Sequence, residues 1–167
     1  MEIAIFSDIH DNLKNLELAI NQIKDRGINK LIYCGDFCAP FVMKQLGQSG
    51  LEIHAVWGNN DGDRFKLTQI ADQFPTIKLY GEYIGDEDCL LEIDGVKIGV
   101  THYHFYAKTM IKTGWYDLVC FGHSHKSLKQ KFGNSLLINP GEVAGIFGPA
   151  TYAIYDTQLR GSEIITL

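Results

Sequence analysis

The chain has 167 residues, a formal net charge of -5 and 46% hydrophobic residues. That length suits one domain with a sizeable core, and that composition excludes a disordered chain. The acidic balance gives no support to a nucleic-acid coat or a polybasic membrane anchor, but a small anionic substrate stays open because bound metals reverse the local sign.

Residues 2–6 form an apolar run with little alternation, as expected of a strand buried on both faces. The N-terminus has no basic segment, and its apolar run is too short for a signal peptide. No stretch approaches the roughly 18 apolar residues of a membrane span, so a cytoplasmic protein without membrane contact is expected. Leu13, Leu16, Ala19, Ile20 and Ile23 then repeat at helical spacing, predicting a helix over 12–25 capped by Asp11 or Asn12 and ended by Gly27. A strand over 30–34, a helix over 40–47 and a strand over 52–57 continue the alternation, which argues for parallel strands joined by right-handed crossovers. A further helix is expected over 62–71, with Asp61 either its cap or a group that orients a ligand from behind.

The second half changes character. Strands over 89–93 and 96–101 flank Asp94-Gly95, and strands over 127–132 and 135–138 flank Gly133-Asn134, both hairpin signals. A short helix over 104–113, a buried strand over 116–121 and a closing pair over 151–156 and 162–166 complete the pattern. One α/β domain spanning 1–167 is expected, parallel in its first half and rich in hairpins in its second. Apolar side chains in 39–48 and 76–90 suit either the core or a second copy in a homo-oligomer.

Five polar motifs follow these strands: Ser7-Asp8-Ile9-His10, Gly35-Asp36, Gly58-Asn59-Asn60-Asp61, Thr101-His102-Tyr103-His104 and Gly122-His123-Ser124-His125. They hold five of the six histidines. Asp8 and His10 lie two residues apart, as do His123 and His125, so each pair is expected on one side of its chain. Ligands collect outside the carboxyl ends of strands in open α/β sheets, so the motifs are expected on one rim. Imidazole and oxygen donors together favour Mn, Fe, Co, Ni or Zn, and without required thiolates a closed structural zinc site is disfavoured. Singly, Asp8 could be a helix cap, Asp36 turn punctuation and Asn59 a turn residue; as one ordered series they read as metal ligands. Glycines 35, 58 and 122 let the backbone turn and approach a bound group closely.

Other residues read more plainly. Cys34, Cys38, Cys89 and Cys120 give no disulfide framework and are expected as buried thiols, although Cys34 and Cys38 flank Asp36. His54 lies inside a strand and is expected to be structural. Phe37, Trp57, Tyr103, Phe105 and Tyr106 lie near the motifs, as wall or as a platform for an aromatic substrate group. Asn139-Pro140-Gly141 is expected to make a fixed turn.

Asp-x-His, Gly-Asp, Gly-Asn-x-Asp, His and Gly-His-x-His in this order resemble the calcineurin-like metallophosphoesterase superfamily, and the small size resembles its single-domain phosphodiesterase branch. The resemblance runs from residue 7 to about 141. It implies a sandwich of two mixed β-sheets flanked by helices. It also implies two divalent ions, with manganese favoured: Asp8, His10 and His125 on the first, Asn59, His102 and His123 on the second, and Asp36 on both. A bridging hydroxide would then attack the phosphorus of a small phosphate ester in line. Two such ions, two aspartates, a hydroxide and a phosphodiester sum to a near-neutral centre, which eases burial.

One departure stands out. Many relatives carry a histidine after the metal-binding asparagine, and here that position is Asn60, which can donate a hydrogen bond to phosphate but cannot act as a general acid. His104, two residues after His102, is the expected replacement at the substrate. A catalyst with all seven ligands is the leading expectation, a diesterase rather than a monoesterase because no extra basic clamp is evident. A protein-interaction scaffold on the same fold is the alternative. A nucleic-acid-binding module gains nothing from the charge distribution.

Overall fold

The computed structural model describes residues 1–85 and 90–167. Strand β1 (Glu2–Phe6) leads to helix α1 (Leu13–Asp25), then β2 (Lys30–Tyr33), α2 (Pro40–Gln48), β3 (Glu52–Ala55), α3 (Arg64–Ala71) and the short strands β4 (Ile77–Leu79) and β5 (Tyr83–Ile84). The second half runs β6 (Leu91–Ile93), β7 (Val96–Thr101), α4 (His104–Lys112), β8 (Leu118–Cys120), β9 (Leu128–Phe132), β10 (Ser135–Asn139), β11 (Thr151–Asp156) and β12 (Gly161–Thr166).

Two mixed sheets result. The first has the order β12-β11-β1-β2-β3-β4, with β1 to β4 parallel and the closing pair antiparallel. The second has the order β5-β7-β8-β10-β9, with β6 hairpinned on β7. Strands β7, β8 and β10 are parallel to one another, so this half is not built of hairpins alone.

β1 explains how the layers hold together. Its Ala4 and Phe6 face a core shared with Leu16 of α1, Val42 of α2 and Leu67 of α3. Its Ile3 and Ile5 face the other way, against Val96, Ile98, Leu118 and Leu136 of the second sheet. A third core packs Ala107 and Ile111 of α4 on Val119 and Leu137. The order is therefore helices, sheet, sheet, helix, and the period of two along a fully buried strand serves both inner faces. Each fully buried Ile or Phe of β1 contributes roughly 1.5–3 kcal/mol relative to exposure.

The Asp94-Gly95 turn has φ of 51° and 71°, the left-handed pair that a two-residue hairpin requires. Asn12, not Asp11 or Asp8, caps α1 by accepting from the Asn15 N–H. Asp63, not Asp61, caps α3 by accepting from the Lys66 N–H. Val42, Met43, Leu46 and Ile77, from the segments 39–48 and 76–85, are core residues, while Phe41 and Tyr83 are exposed. Cys89 and the first residue expected of its strand lie outside the described residues. Among the described residues no helix is long and apolar enough to cross a membrane.

Candidate metal centre

The five motifs leave β1, β2, β3, β7 and β8 at their carboxyl ends. The backbone ties them to each other there. Asp8 N–H donates to the Gly35 carbonyl at 3.1 Å, and Ile9 and His10 N–H both reach the Asp36 carbonyl. Gly122 N–H donates to the His102 carbonyl at 3.1 Å. These contacts tie the motifs within each sheet, and the His123 N–H on Asp8 Oδ2 and the His102 ring on the Cys34 carbonyl join the two sheets at one rim.

Left-handed backbone is concentrated at this rim. Asp8, His10, Asp36, His123 and His125 all have positive φ, between 41° and 67°. A non-glycine residue rarely sits there, and such residues gather where the surrounding structure fixes a functional side chain. Glycine is required where these loops touch: a Cβ on Gly58 would strike Asp36 Oδ1, and one on Gly122 would strike Ser7 Oγ.

Asp36 is buried at the centre. Its Oδ2 lies 3.3 Å from His10 Nε2 and 3.5 Å from His102 Nε2. Its carboxylate also accepts from the Asn60 N–H and the Asn60 side-chain amide, both at 2.8 Å. Asp8 Oδ1 lies 3.6 Å from His10 Nε2 and 3.4 Å from His125 Nε2, while Asp8 Oδ2 accepts from the His123 N–H. Asn59 Oδ1 meets His102 Nε2 at 2.9 Å and His123 Nδ1 at 2.7 Å. Thus Asp8, His10, Asp36, Asn59, His102, His123 and His125 come together at the rim.

The donor set fits divalent cations. Asp8 Oδ1 and His10 Nε2 are buried and have no hydrogen-bond partner. His102 Nδ1 lies 2.7 Å from the Cys34 carbonyl, which can only accept, so the neutral ring presents an unprotonated Nε2 to the Asn59 oxygen. In its neutral form His125 likewise donates from Nδ1 to the Glu142 carboxylate at 2.8 Å and turns a bare Nε2 toward Asp8. Acceptors facing acceptors in this way match an ion placed between them. Asp8-His10-His125 and Asp8-Asp36-His102 each gather three ligand atoms closely enough for one ion.

Residues behind the ligands hold them in place. Asp61 resolves in favour of the orienting role: it accepts from the N–H groups of Gly58 at 2.6 Å, Cys38 at 3.0 Å and Asp36 at 3.3 Å. Burial pushes its carboxyl above the usual range, against the pull of those N–H groups. Asn139 donates to the Gly122 carbonyl and to Ser124 Oγ, so the Asn139-Pro140-Gly141 turn does support the histidine loop. Glu142, next in the chain, is fully buried and was absent from the expected set. Burial pushes its carboxyl up, but the hydrogen bond to His125 and the N–H groups at 146–148 outweigh that and hold it below the usual range. Its place directly after the Asn139 turn is the one sequence clue to it. Cys34 and Cys120 are buried as expected, but Cys38 Sγ sits 3.4 Å from His10 Nδ1, behind a ligand.

His104 is placed differently from its expectation. It opens α4, and its ring stacks on Phe121 with centroids 4.9 Å apart. The period of two that was to carry it beside His102 ends at Tyr103, where the strand gives way to the helix. Replacing His104 with alanine is expected to change diester turnover less than about threefold, as for a residue outside the transition-state contacts; a hundredfold loss at unchanged stability would return it to the substrate. His54 is structural, held between Tyr80 and Glu52. Phe37 and Trp57 are core, whereas Tyr103 contacts His102 and His123 edge-on, each at 5.2 Å.

Without bound metal, His10 takes a proton. The Asp8 carboxylate 3.6 Å away, helped by Cys38 and Asp36, raises its pKa from 6.5 to about 10. A raised histidine pKa stabilises the fold fully below the unfolded value and loses that contribution as pH rises through the folded one. The urea midpoint of chelator-stripped protein is therefore expected to fall between about pH 6.5 and 10, and His10→Asn to flatten that slope.

Comparisons with known proteins agree with this geometry. Residues 1–160 match the family model of the calcineurin-like phosphoesterase superfamily domain. The chain is 36% identical over 170 residues to Phosphodiesterase MJ0936 of Methanocaldococcus jannaschii, covering 100% of this chain and 99% of that one. It superposes on the solved structure of an archaeal phosphodiesterase with a TM-score of 0.90 at 35% identity, over the full length of both chains. Vacuolar Protein Sorting 29 from Cryptosporidium parvum shares the fold, with a TM-score of 0.69 at 17% identity over 99% of this chain and 96% of that one. The chain belongs to the calcineurin-like phosphoesterase superfamily.

Proposed function

We propose that the chain is a divalent-metal-dependent phosphodiesterase acting on a small phosphate ester. The observation that carries this reading is Asp36 Oδ2, within 3.5 Å of a histidine from each ligand group. Asp8, His10 and His125 would hold one ion, Asn59, His102 and His123 a second, and Asp36 both. Manganese is the favoured metal, since oxygen and imidazole ligands admit it and availability selects among such ions. Bound there, such ions supply charge neutralisation at phosphorus and a water acidic enough to attack it near neutral pH.

The chain's own groups set what can bind. Asn60 donates through both its amide and its N–H to Asp36, which fixes the shared carboxylate. The same side-chain amide is a neutral donor for a phosphate oxygen, and it transfers no proton. Arg64 stands next to the Gly58 motif, but its guanidinium is engaged by Glu82 and by the Gly58 carbonyl. A cation so neutralised offers little extra attraction to a dianionic monoester, which favours the monoanionic diester.

The test is metal restoration. Chelator-stripped protein, reloaded with single divalent ions, is expected to hydrolyse bis(p-nitrophenyl) phosphate at least tenfold faster than p-nitrophenyl phosphate, with manganese among the most effective. Absence of metal-dependent turnover on either ester would overturn the reading in favour of a scaffold.

A further inference from the structure

A cavity of about 590 Å³ adjoins the metal centre and shares Tyr103 with it. Its walls are Glu82, Tyr83, Tyr103, Tyr106, Met110 and Tyr116, so most of its surface is apolar and aromatic. Tyr103 touches His102 and His123 edge-on and lies 6.0 Å from Tyr106 in the same manner. The aromatic wall therefore begins at two rings of the candidate ligand set and continues from Tyr103 to Tyr106. At the far end Met110 and Tyr116 press on Gly99, where an added Cβ would come within 2.7 Å of the Met110 methyl group. On the His125 side of the centre the chemistry is different: a cavity of about 300 Å³ is lined by Ser124, Lys126 and Ser127, with Phe147 at its edge.

We propose that the aromatic cavity binds a flat ring carried by the ester group of the phosphate, either an aryl ring esterified directly or a nucleobase held through its sugar, while the phosphate itself meets the metal centre. This rests on the diesterase reading, because only a phosphate ester spans both places. Tyrosine walls present rigid faces at small entropic cost, and base or aryl rings stack on them without needing a particular hydrogen-bond pattern. A cavity of this size with few polar groups suits an apolar ring. Its lining residues include no cation to receive a second phosphate, so the ring and not the anion enters. Of the five aromatics near the motifs, this selects Tyr103 and Tyr106, leaves Phe37 and Trp57 to the core and leaves Phe105 exposed outside the cavity lining.

Equilibrium binding to manganese-loaded protein tests the proposal with two matched pairs: phenylphosphonate against methylphosphonate, and adenosine 5′-monophosphate against ribose 5-phosphate. Each pair shares its phosphorus group, so damage to the metal centre weakens both members and leaves their ratio unchanged. The aromatic member of at least one pair is expected to bind tenfold or more tightly, and the pair that does so identifies an aryl or a nucleoside source. Tyr106→Ala removes a wall, and Thr109→Trp fills the space from the exposed face of α4; each is expected to bring that ratio below threefold. Equal affinities within both pairs, no measurable binding of the aromatic members, or a preference that survives both substitutions overturns the proposal. Hydrolysis of bis(p-nitrophenyl) phosphate, run in parallel, separates this failure from failure of the diesterase reading, which would abolish turnover while leaving the binding ratios to be read.

Discussion

Asp36→Asn is expected to lower kcat/KM for bis(p-nitrophenyl) phosphate by about a thousandfold, the scale seen when a group that stabilises transition-state charge is removed. Asn keeps the shape and the Tyr33 hydroxyl contact to the residue 36 carbonyl, so the fold should survive. What it loses is the charge on the carboxylate that lies between His10 and His102. On the proposed two-ion reading, metal content, measured by atomic emission after gel filtration, is expected to fall from two ions per chain to one or fewer. Loss of activity with two ions still bound would place Asp36 in the chemistry and not in shared coordination. Retained activity would remove it from the centre of the site.

Glu142→Ala is expected to weaken metal binding by about 10–100-fold, the usual range when the group behind a ligating histidine is removed. Its Oε2 fixes His125 through Nδ1, while its Oε1 accepts from the Phe147 and Gly148 N–H groups at 2.6 and 2.8 Å. The variant leaves these donors without their buried acceptor, at a cost of about 1–3 kcal/mol for an unmet group, so thermal stability should fall as well. The two effects are separable. Excess metal should restore kcat while the melting temperature stays below that of the similarly metal-loaded parent, and Glu142→Gln, which can still accept, should lie between. A loss of kcat that no metal concentration rescues would assign Glu142 a more direct part than positioning.

Glu142 also marks the limit of what strand-end motifs reveal. All seven ligand candidates stand within a few residues of an apolar strand, and parallel strands deliver their carboxyl ends to one rim, so local pattern was enough to expect them together there. Glu142 stands 17 residues beyond His125, and Asn139 reaches the same loop from the end of β10. Neither contact follows from spacing, because each depends on how β8 and β10 pair. Cys38 is similar: it read as one more buried thiol, and only the turn after Asp36 brings its sulfur behind His10.

Two residues took their places where an element boundary or a loop decided between readings. His104 was to follow His102 on the same face, but a period of two holds only in extended chain, and α4 starts at that residue. Asp61 and Asp63 both suit a helix cap; the loop from Gly58 folds back on Asp36, so Asp61 meets three N–H groups there and Asp63 is left to cap α3. The β4 and β5 strands, three and two residues long, carried too little periodicity to be read in advance.

The sequence by itself determined the order of the metal-ligand motifs and the strands that present them, because each motif is a local turn whose side chains are set by the few residues around it. Tertiary structure decided which atoms of those side chains face one another, which carboxylates and carbonyls orient the histidines, and that Tyr103 connects them to an aromatic cavity. Those outcomes arise from contacts between residues far apart in the chain, fixed only when two sheets pack face to face and bring five strand ends to a single edge.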